Sequence, residues 1–206
     1  MKKLLLITLI TFIAYQANSQ VRIGAKAGVN FTNIPFDFKN SNTTVENKPV
    51  TSFLIGAFTE FKLMPKIFLQ PGLELSGHGT KLDDGSNVIK ANIMYLGVPV
   101  NVVGKLNLGL GTVSLGGGPY FAYALSGKGE NNGVEEDLDF GNKIEDEFKK
   151  TDFGINLLGG YQLNSGLGIN LGYQLGLSNI SSDAWKDSYT SKNTGFSVSL
   201  TYMLKL

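Results

Sequence analysis

The single histidine and its neighbours are the residues of this chain that could do acyl-transfer chemistry. Glu74, Ser76 and His78 alternate along one segment, so in an extended strand their side chains share a face. A hydrolase needs such a set, because the histidine takes the proton of the serine and the carboxylate orients the histidine. A serine and a glutamate beside a lone histidine are far more often a coincidence than a site. We therefore expect no catalytic residue and no enzymatic activity.

Two further segments resemble ligand loops but lack their essential parts. The segment Asp83-Asp84-Gly85-Ser86-Asn87 lacks the spaced ligands and the terminal glutamate of a calcium loop, so it is predicted to be a polar turn. Gly109-x-Gly111 and Gly116-Gly117-Gly118 are followed by neither the lysine nor the helix of a phosphate loop. The sequence thus predicts no metal site and no cofactor.

The composition limits the class of protein. The chain has 206 residues, no cysteine and 26 glycines, with 18 basic against 17 acidic residues. A net charge near zero gives no electrostatic footprint for nucleic acid, so no nucleic-acid partner is expected. Only 17% of the residues are charged, which is low for a surface that faces water. This low charge indicates that something other than water covers much of the surface.

The first residues have the pattern of an export signal. Lys2 and Lys3 precede an apolar run from Leu4 to Ala14, and Ala17-Asn18-Ser19 supplies the small residues of a cleavage site. The run is shorter than the ~20 residues of a spanning helix. Residues 1–19 are therefore predicted to be a cleaved signal peptide, and residues 20–206 a single exported domain.

Apolar residues alternate with small or polar ones through the rest of the chain, as in strands with two different faces. Leu167, Ile169, Leu171 and Tyr173, for example, alternate with glycine, asparagine and glutamine. Each segment is long enough for the ~9 to 11 residues of a tilted membrane strand. The eight predicted strands lie near 21–31, 51–63, 67–78, 92–104, 112–125, 152–163, 167–178 and 194–206.

The connections between these strands alternate in length. Short turns are predicted at 64–66, 105–111 and 164–166, and long polar loops near 32–50, 79–91, 126–151 and 179–193. This is typical of an up-and-down outer-membrane barrel with short periplasmic turns and long external loops. Both termini are then expected on the periplasmic side.

The polar face decides between a soluble and a membrane barrel. It consists mostly of glycine, serine, asparagine, glutamine and alanine, a poor exterior in water but a suitable lining for a narrow lumen. Its charges are predicted to face the lumen, with Lys26 paired to Glu60 or Glu74. The seven predicted lumen charges are Arg22, Lys26, Glu60, Lys62, Glu74, Asp152 and Lys205. We therefore predict an all-β protein, an eight-stranded antiparallel up-and-down transmembrane β-barrel.

Aromatic residues and prolines add detail to this barrel. On the apolar face, aromatic side chains gather toward both ends of the strands, like two interfacial girdles. Three prolines inside strands, Pro71, Pro99 and Pro119, are each expected to mark a bulge or local bend. The predicted girdle residues are Phe31, Phe53, Phe121, Tyr123, Phe153 and Phe196 at one end and Phe61, Tyr161 and Tyr202 at the other.

Five motifs carry a resemblance to a known family. They are Gly24-x-Lys26-x-Gly28-x-Asn30-Phe31-x-Asn33-Ile34, Tyr95-Leu96-Gly97-Val98-Pro99, Gly118-Pro119-Tyr120-x-Ala122-Tyr123-x-Leu125-Ser126-Gly127, Asp152-x-Gly154 and Gly176-Leu177-Ser178-Asn179-Ile180. They resemble the PorT-like outer-membrane β-barrel family of Bacteroidetes over essentially the whole mature chain. The resemblance implies the outer membrane of a Gram-negative cell. The founding member is linked to protease secretion, but a role is not carried over by fold alone.

The sequence favours a structural or interaction role, accessory to protein secretion or to cell-surface contacts. A small porin-like passive channel for small solutes is the alternative. We expect a monomeric barrel in outer-membrane lipid, with a protein partner at the external loops. The longest loop, Ser126 to Lys150, carries the densest charge in the chain and is the candidate surface. The candidate contact residues are Glu135, Glu136, Asp137, Phe140, Glu145, Asp146 and Glu147, with Trp185 from the last loop.

Overall fold

A computed structural model describes residues 21–38, 47–83, 88–141, 148–182 and 189–204. Within these ranges no helix is long and apolar enough to cross a membrane. The regular elements are strands, as the alternation predicts. They are β1 (Arg22–Asn33), β2 (Phe36–Phe38), β3 (Asn47–Met64), β4 (Ile67–Asp83), β5 (Val88–Asn107), β6 (Gly111–Asn131), β7 (Val134–Asp137), β8 (Thr151–Leu163), β9 (Leu167–Gly176), β10 (Tyr189–Ser191) and β11 (Thr194–Met203).

Eight long strands close into a ring. The order is β1, β3, β4, β5, β6, β8, β9 and β11, and each strand is antiparallel to its neighbours. The ring closes where β1 pairs with β11, from Gly24 opposite Met203 to Asn33 opposite Thr194. A closed ring has no edge, so the backbone groups of these strands pair within the wall, as hydrocarbon requires. The predicted eight-stranded antiparallel barrel is confirmed.

The two ends of the barrel differ. At the turn end, Pro65–Lys66, Leu108–Leu110 and Asn164–Gly166 connect strands, and the described chain begins and finishes there. The loop end carries the other four connections and the short pair of β2 with β10. We use the names turn end and loop end below.

The apolar face points outward along the described strands. Val29, Leu171 and Leu200 are exposed, whereas Asn30, Ser199 and Thr201 on the alternate positions are buried. The predicted aromatic residues share this outward face, and Phe31, Phe196 and Tyr173 stand opposite one another on three neighbouring strands. Such an exterior suits lipid and not water, so the predicted direction of the two faces is confirmed.

The predicted loops 79–91 and 126–151 are wrong in large part, because the strands continue through them. β4 runs to Asp83, and β5 begins at Val88. β6 runs to Asn131 and turns into β7 through Asn132-Gly133, both with positive φ, as in a type I′ hairpin. These extensions carry lysine and glutamate because they lie beyond the apolar part of the wall. A search for apolar alternation therefore does not detect these extensions.

No register shift lies at Pro71, Pro99 or Pro119, so the prediction of a bulge there is wrong, while the alternative of a local bend stays a prediction. The register shifts lie elsewhere, between Pro49 and Leu54, between Lys62 and Met64, and between Met94 and Tyr95. Next to Pro71 and Pro99 the ladder instead lacks two pairs and resumes in the same register. A proline lacks the N–H that would bond to one of the two neighbouring strands. The ladder to that strand is therefore interrupted and then continues in the same register.

Candidate functional site

A buried carboxylate at the turn end holds two cations. The Glu60 side chain is fully buried in the lumen, with its Oε2 2.6 Å from the Arg22 Nη2 and its Oε1 2.5 Å from the Lys105 Nζ. Gln70 donates a further hydrogen bond of 3.1 Å to Oε1. The ring of Phe68 lies beneath both cations, 5.0 Å from the Arg22 guanidinium carbon and 5.4 Å from the Lys105 nitrogen. One negative charge is thus shared by two positive charges, over an aromatic face that favours cations.

One basic residue is missing from the predicted set of lumen charges. The sequence predicts a turn at Lys105, but β5 continues to Asn107, and the Lys105 side chain lies in the lumen with only 9% exposed. Lys62 is exposed at the turn end, where it lines an open cavity together with Arg22. Lys205 lies outside the described residues. The strand extensions of the loop end also carry charges, so the predicted count of seven within strands is too low.

Lys26 and Glu74 form a second pair near the middle of the lumen. This is one of the two pairings that the strand order predicts for Lys26. Both side chains line a cavity of about 70 Å³, together with His78 and Asn101. Since ~10 to 15 Å³ of such volume accommodates one water, the cavity has room for a few waters. Neighbouring cavities of about 50 and 20 Å³ follow toward the turn end, the first lined in part by the same Lys26 and Asn101 and the second reaching Glu60 and Lys105.

The serine and histidine of the possible catalytic set do meet, but without a carboxylate. The Ser76 Oγ lies 3.2 Å from the His78 Nε2, and both residues are buried. Among the described residues the His78 Nδ1 has no hydrogen-bond partner, and the Tyr95 ring packs edge-on at 5.4 Å. Glu74 contacts Lys26 instead. Within the described ranges, no group of three or more histidine, cysteine, aspartate or glutamate side chains could hold a metal ion.

Asp152 lies at the centre of a buried hydrogen-bond network at the loop end. The carboxylate is fully buried and accepts bonds from the Tyr120 hydroxyl at 2.8 Å and the Asn193 amide at 2.9 Å on Oδ2. Its other oxygen accepts a bond of 2.5 Å from the Ser178 hydroxyl. These donors come from β6 and from both ends of the segment that joins β9 to β11. The network therefore fastens that segment to the barrel wall.

An apolar cluster of residues from the connections, which we call the cap, lies at the loop end beside this network. Ile34, Phe148 and Ile180 come from three different connections, and all three are buried against Ile93, Tyr95 and Tyr120 of the wall. Backbone bonds hold the connections in place, from the Lys149 N–H to the Ile180 carbonyl and from the Ile180 N–H to the Ser191 carbonyl. The motifs ending in Ile34 and Ile180 thus end in residues of this cap. Sequence reasoning missed the cap, because single apolar residues in loops show no periodicity.

The predicted interaction loop splits into two parts. Glu135, Glu136 and Asp137 belong to β7, all of whose residues are exposed at the loop end. Phe140 is only partly exposed, because its ring packs on the cap and over Gly127. The remaining candidates, Glu145, Asp146, Glu147 and Trp185, lie outside the described residues.

Two ion pairs link the β6–β7 hairpin across its strands and to β5. Lys90 pairs with Glu130, and Lys128 with Glu135, each at 3.0 Å. The Glu135 carboxylate, which accepts a hydrogen bond from Lys128 and adds its own negative charge, raises the pKa of the Lys128 ammonium. β7 still has an excess of negative charge, since Glu136 and Asp137 follow Glu135 directly. The hairpin therefore presents an acidic edge.

Comparison with known proteins gives one family. Residues 14–182 match the family described as outer membrane protein beta-barrel domain. No curated protein matches the chain. The chain is similar to the solved structure of the outer membrane protein OprG from Pseudomonas aeruginosa, with 11% identity and a TM-score of 0.49, over 90% of this chain and 95% of that chain. For Neisserial surface protein A the identity is 8% and the TM-score 0.47, over 89% of this chain and 99% of that chain. For Ail of Yersinia pestis in complex with the heparin analogue sucrose octasulfate the identity is 12% and the TM-score 0.46, over 90% of this chain and 99% of that chain.

Proposed function

Because this chain belongs to the outer membrane protein beta-barrel domain family, we propose that it serves in the outer membrane as a structural and interaction protein that binds a protein partner at its loop end. The observation that carries this proposal is the exposed strand β7. Within the described part of the chain, β7 pairs with β6 alone. A strand with one open edge is a template to which an extended segment of a partner adds.

The hairpin register identifies the backbone groups that would meet the partner. In a two-residue hairpin the flanking pair, Asn131 with Val134, is hydrogen-bonded, and such pairs alternate along the ladder. The bond from the Leu138 N–H to the Gly127 carbonyl continues this series. The N–H and C=O groups of Glu135 and Asp137 therefore point away from β6. The acidic side chains of β7 favour a partner segment that carries lysine or arginine.

A proline variant tests this edge directly. Glu135→Pro with Asp137→Pro removes the two outward N–H donors, and proline is tolerated at a strand edge where the N–H faces away from the sheet. We expect the variant to fold into the barrel and to lose the partner in affinity capture from detergent-solubilised outer membrane. The matched variant, Glu135→Gln with Asp137→Asn, keeps both donors and should weaken capture only in part. A proline variant that captures the same proteins as wild type would contradict the proposal.

The proposed orientation has the loop end outside the cell and the turn end with both termini in the periplasm. The short turns at one end and the extended strands at the other support it, because outer-membrane barrels have short periplasmic turns and long external loops. Protease added to intact cells should cut the β6–β7 hairpin and spare the turn at Leu108–Leu110. Cleavage at that turn alone would reverse the orientation.

Two uses of the loop end follow from the PorT-like motifs and the exposed hairpin. One is accessory to protein secretion, with a partner in the same membrane, and the other is contact at the cell surface, with an extracellular partner. A passive channel is the alternative role. The apolar cap of Ile34, Phe148 and Ile180 supports the interaction role over the channel, because it occupies the path a solute would take.

We further propose that the barrel is not an enzyme. The support is the geometry around His78, whose Nδ1 has no partner to orient the ring, while Ser76 is buried beside it. A hydrolase needs an oriented base and access for a substrate carbonyl. Activity-based labelling with a fluorophosphonate should leave Ser76 unmodified.

A further inference from the structure

The turn end contains an open cavity of about 520 Å³, which we call the vestibule. This volume lies within the ~300 to 1,000 Å³ typical of small-molecule sites. Its polar lining comes from four strands and the turn after β8, and its apolar lining includes Leu163, Met203 and Leu204. The polar and charged side chains that line it are Arg22, Lys62, Thr112, Gln162 and Asn164.

The charge around the vestibule is one-sided. In the described segments that form the turn end (21–24, 58–69, 103–113, 160–168 and 200–204), four side chains are basic and one is acidic. The acid, Glu60, is already shared by Arg22 and Lys105. One cation is enough to neutralise Glu60, so the group of Arg22, Glu60 and Lys105 keeps one net positive charge. Lys62 adds another. The charged side chains of these segments are Arg22, Glu60, Lys62, Lys66 and Lys105.

Arg22 has both the position and the donors to bind an anion. Its side chain is 39% exposed, and its ion pair with Glu60 uses one of the two terminal nitrogens. A guanidinium has five N–H donors in a fixed plane, which match the two oxygens of a carboxylate. The ring of Phe68 beneath it holds the plane in position.

We propose that the vestibule binds a small organic carboxylate. Arg22 and Lys62 contact the carboxylate group, and Leu163, Met203 and Leu204 contact its short hydrocarbon part. The apolar lining distinguishes this ligand from inorganic phosphate, which would gain only the charge contacts. The inference does not rest on the proposed role of β7, which lies at the opposite end of the barrel.

Nuclear magnetic resonance of the folded chain in non-ionic maltoside micelles tests the proposal without an anionic detergent. Titration with butyrate is expected to shift the backbone amides of Val21, Thr112 and Gln162, with saturation, and at lower concentration than inorganic phosphate. Butyramide, the neutral analogue of the same shape, should cause no shift at these amides. Equal shifts with butyramide, no shift with butyrate, or tighter binding of phosphate would each overturn the proposal.

Variants at Lys62 locate the site. Lys62→Gln should weaken butyrate binding about 2- to 5-fold, the effect of one partly exposed ion pair, and Lys62→Glu should abolish it. Lys62 is exposed at the rim, so both variants should fold, which heat-modifiable migration on gels will check. Lys90→Gln at the loop end is the matched control and should bind butyrate as wild type does. Wild-type affinity in Lys62→Glu would overturn the assignment of this cavity.

Discussion

Lys26 and Glu74 neutralise each other inside the barrel, where neither side chain is well solvated. Lys26→Met leaves the carboxylate without its cation and should lower the free energy of unfolding by roughly 2 kcal/mol. This value lies between the ~1 kcal/mol of an exposed pair and the ~3 to 5 kcal/mol for breaking a fully buried one. Denaturant unfolding of the barrel in micelles measures the difference. Adding Glu74→Gln to Lys26→Met should restore much of the loss, and unchanged stability of the single variant would count against the pairing.

Asp152 satisfies three donors at once, so its removal should cost more than the removal of any one donor. Asp152→Ala leaves the Tyr120, Asn193 and Ser178 groups without their acceptor, at about 1 to 3 kcal/mol for each group that stays buried. Tyr120→Phe removes one bond and should cost about 1 kcal/mol. Unfolding midpoints and amide exchange of the segment after β9 measure both effects. Tyr123 lies on the outward face of β6, the strand that carries Tyr120. Tyr123→Phe is therefore the control and should change neither the unfolding midpoint nor the amide exchange.

At the scale of elements, the β6–β7 hairpin depends on one glycine. Gly133 has a φ of 89°, a conformation that costs an L-residue with a side chain about 1 to 2 kcal/mol. Gly133→Val should therefore open the hairpin while the barrel remains folded. Faster amide exchange at Val134 and Glu136, with unchanged exchange in β8, is the expected result. Gly159→Ala is the matched control, because its added carbon would meet the nearest atom at 3.8 Å. Unchanged exchange in Gly133→Val would show that the turn tolerates a side chain there.

The strands were predictable because lipid and lumen impose opposite demands on alternate residues. β9 shows this clearly, with Leu167 to Leu175 exposed at every second position. The β6–β7 hairpin is also predictable from the sequence, since Asn132-Gly133 is a strong two-residue turn signal. The dense charge of the flanking segments predicts a loop instead, which is why the turn signal is overlooked. The length of β5, and with it the position of Lys105, depends on pairing with β6, which no single segment reveals.

The cap was beyond sequence reasoning for a different reason. Ile34, Phe148 and Ile180 are far apart in the chain, and each lies in a different, mainly polar connection, so no spacing in the sequence links them. The closed ring brings these three residues together, because it holds the strand ends from which their connections start at the same end of the barrel. Asp152 illustrates the same limit, because the alternation predicts that it faces the lumen but not that Ser178 and Asn193 return to meet it.

For the whole molecule, the decisive measurement is conductance in planar bilayers. Eight strands enclose barely enough room for their own side chains, and here Phe58, Tyr95 and Tyr120 are buried within the ring beneath the cap. The inner cavities have volumes of only about 70, 50 and 20 Å³. We expect no large, steady conductance from the reconstituted barrel, under conditions in which an open porin gives clear steps. Replacing Phe148 and Ile180 with alanine should still give no porin-sized steps, because the tyrosines of the wall remain. Reproducible channels of porin size from the wild-type chain would instead establish the passive channel and displace the interaction role.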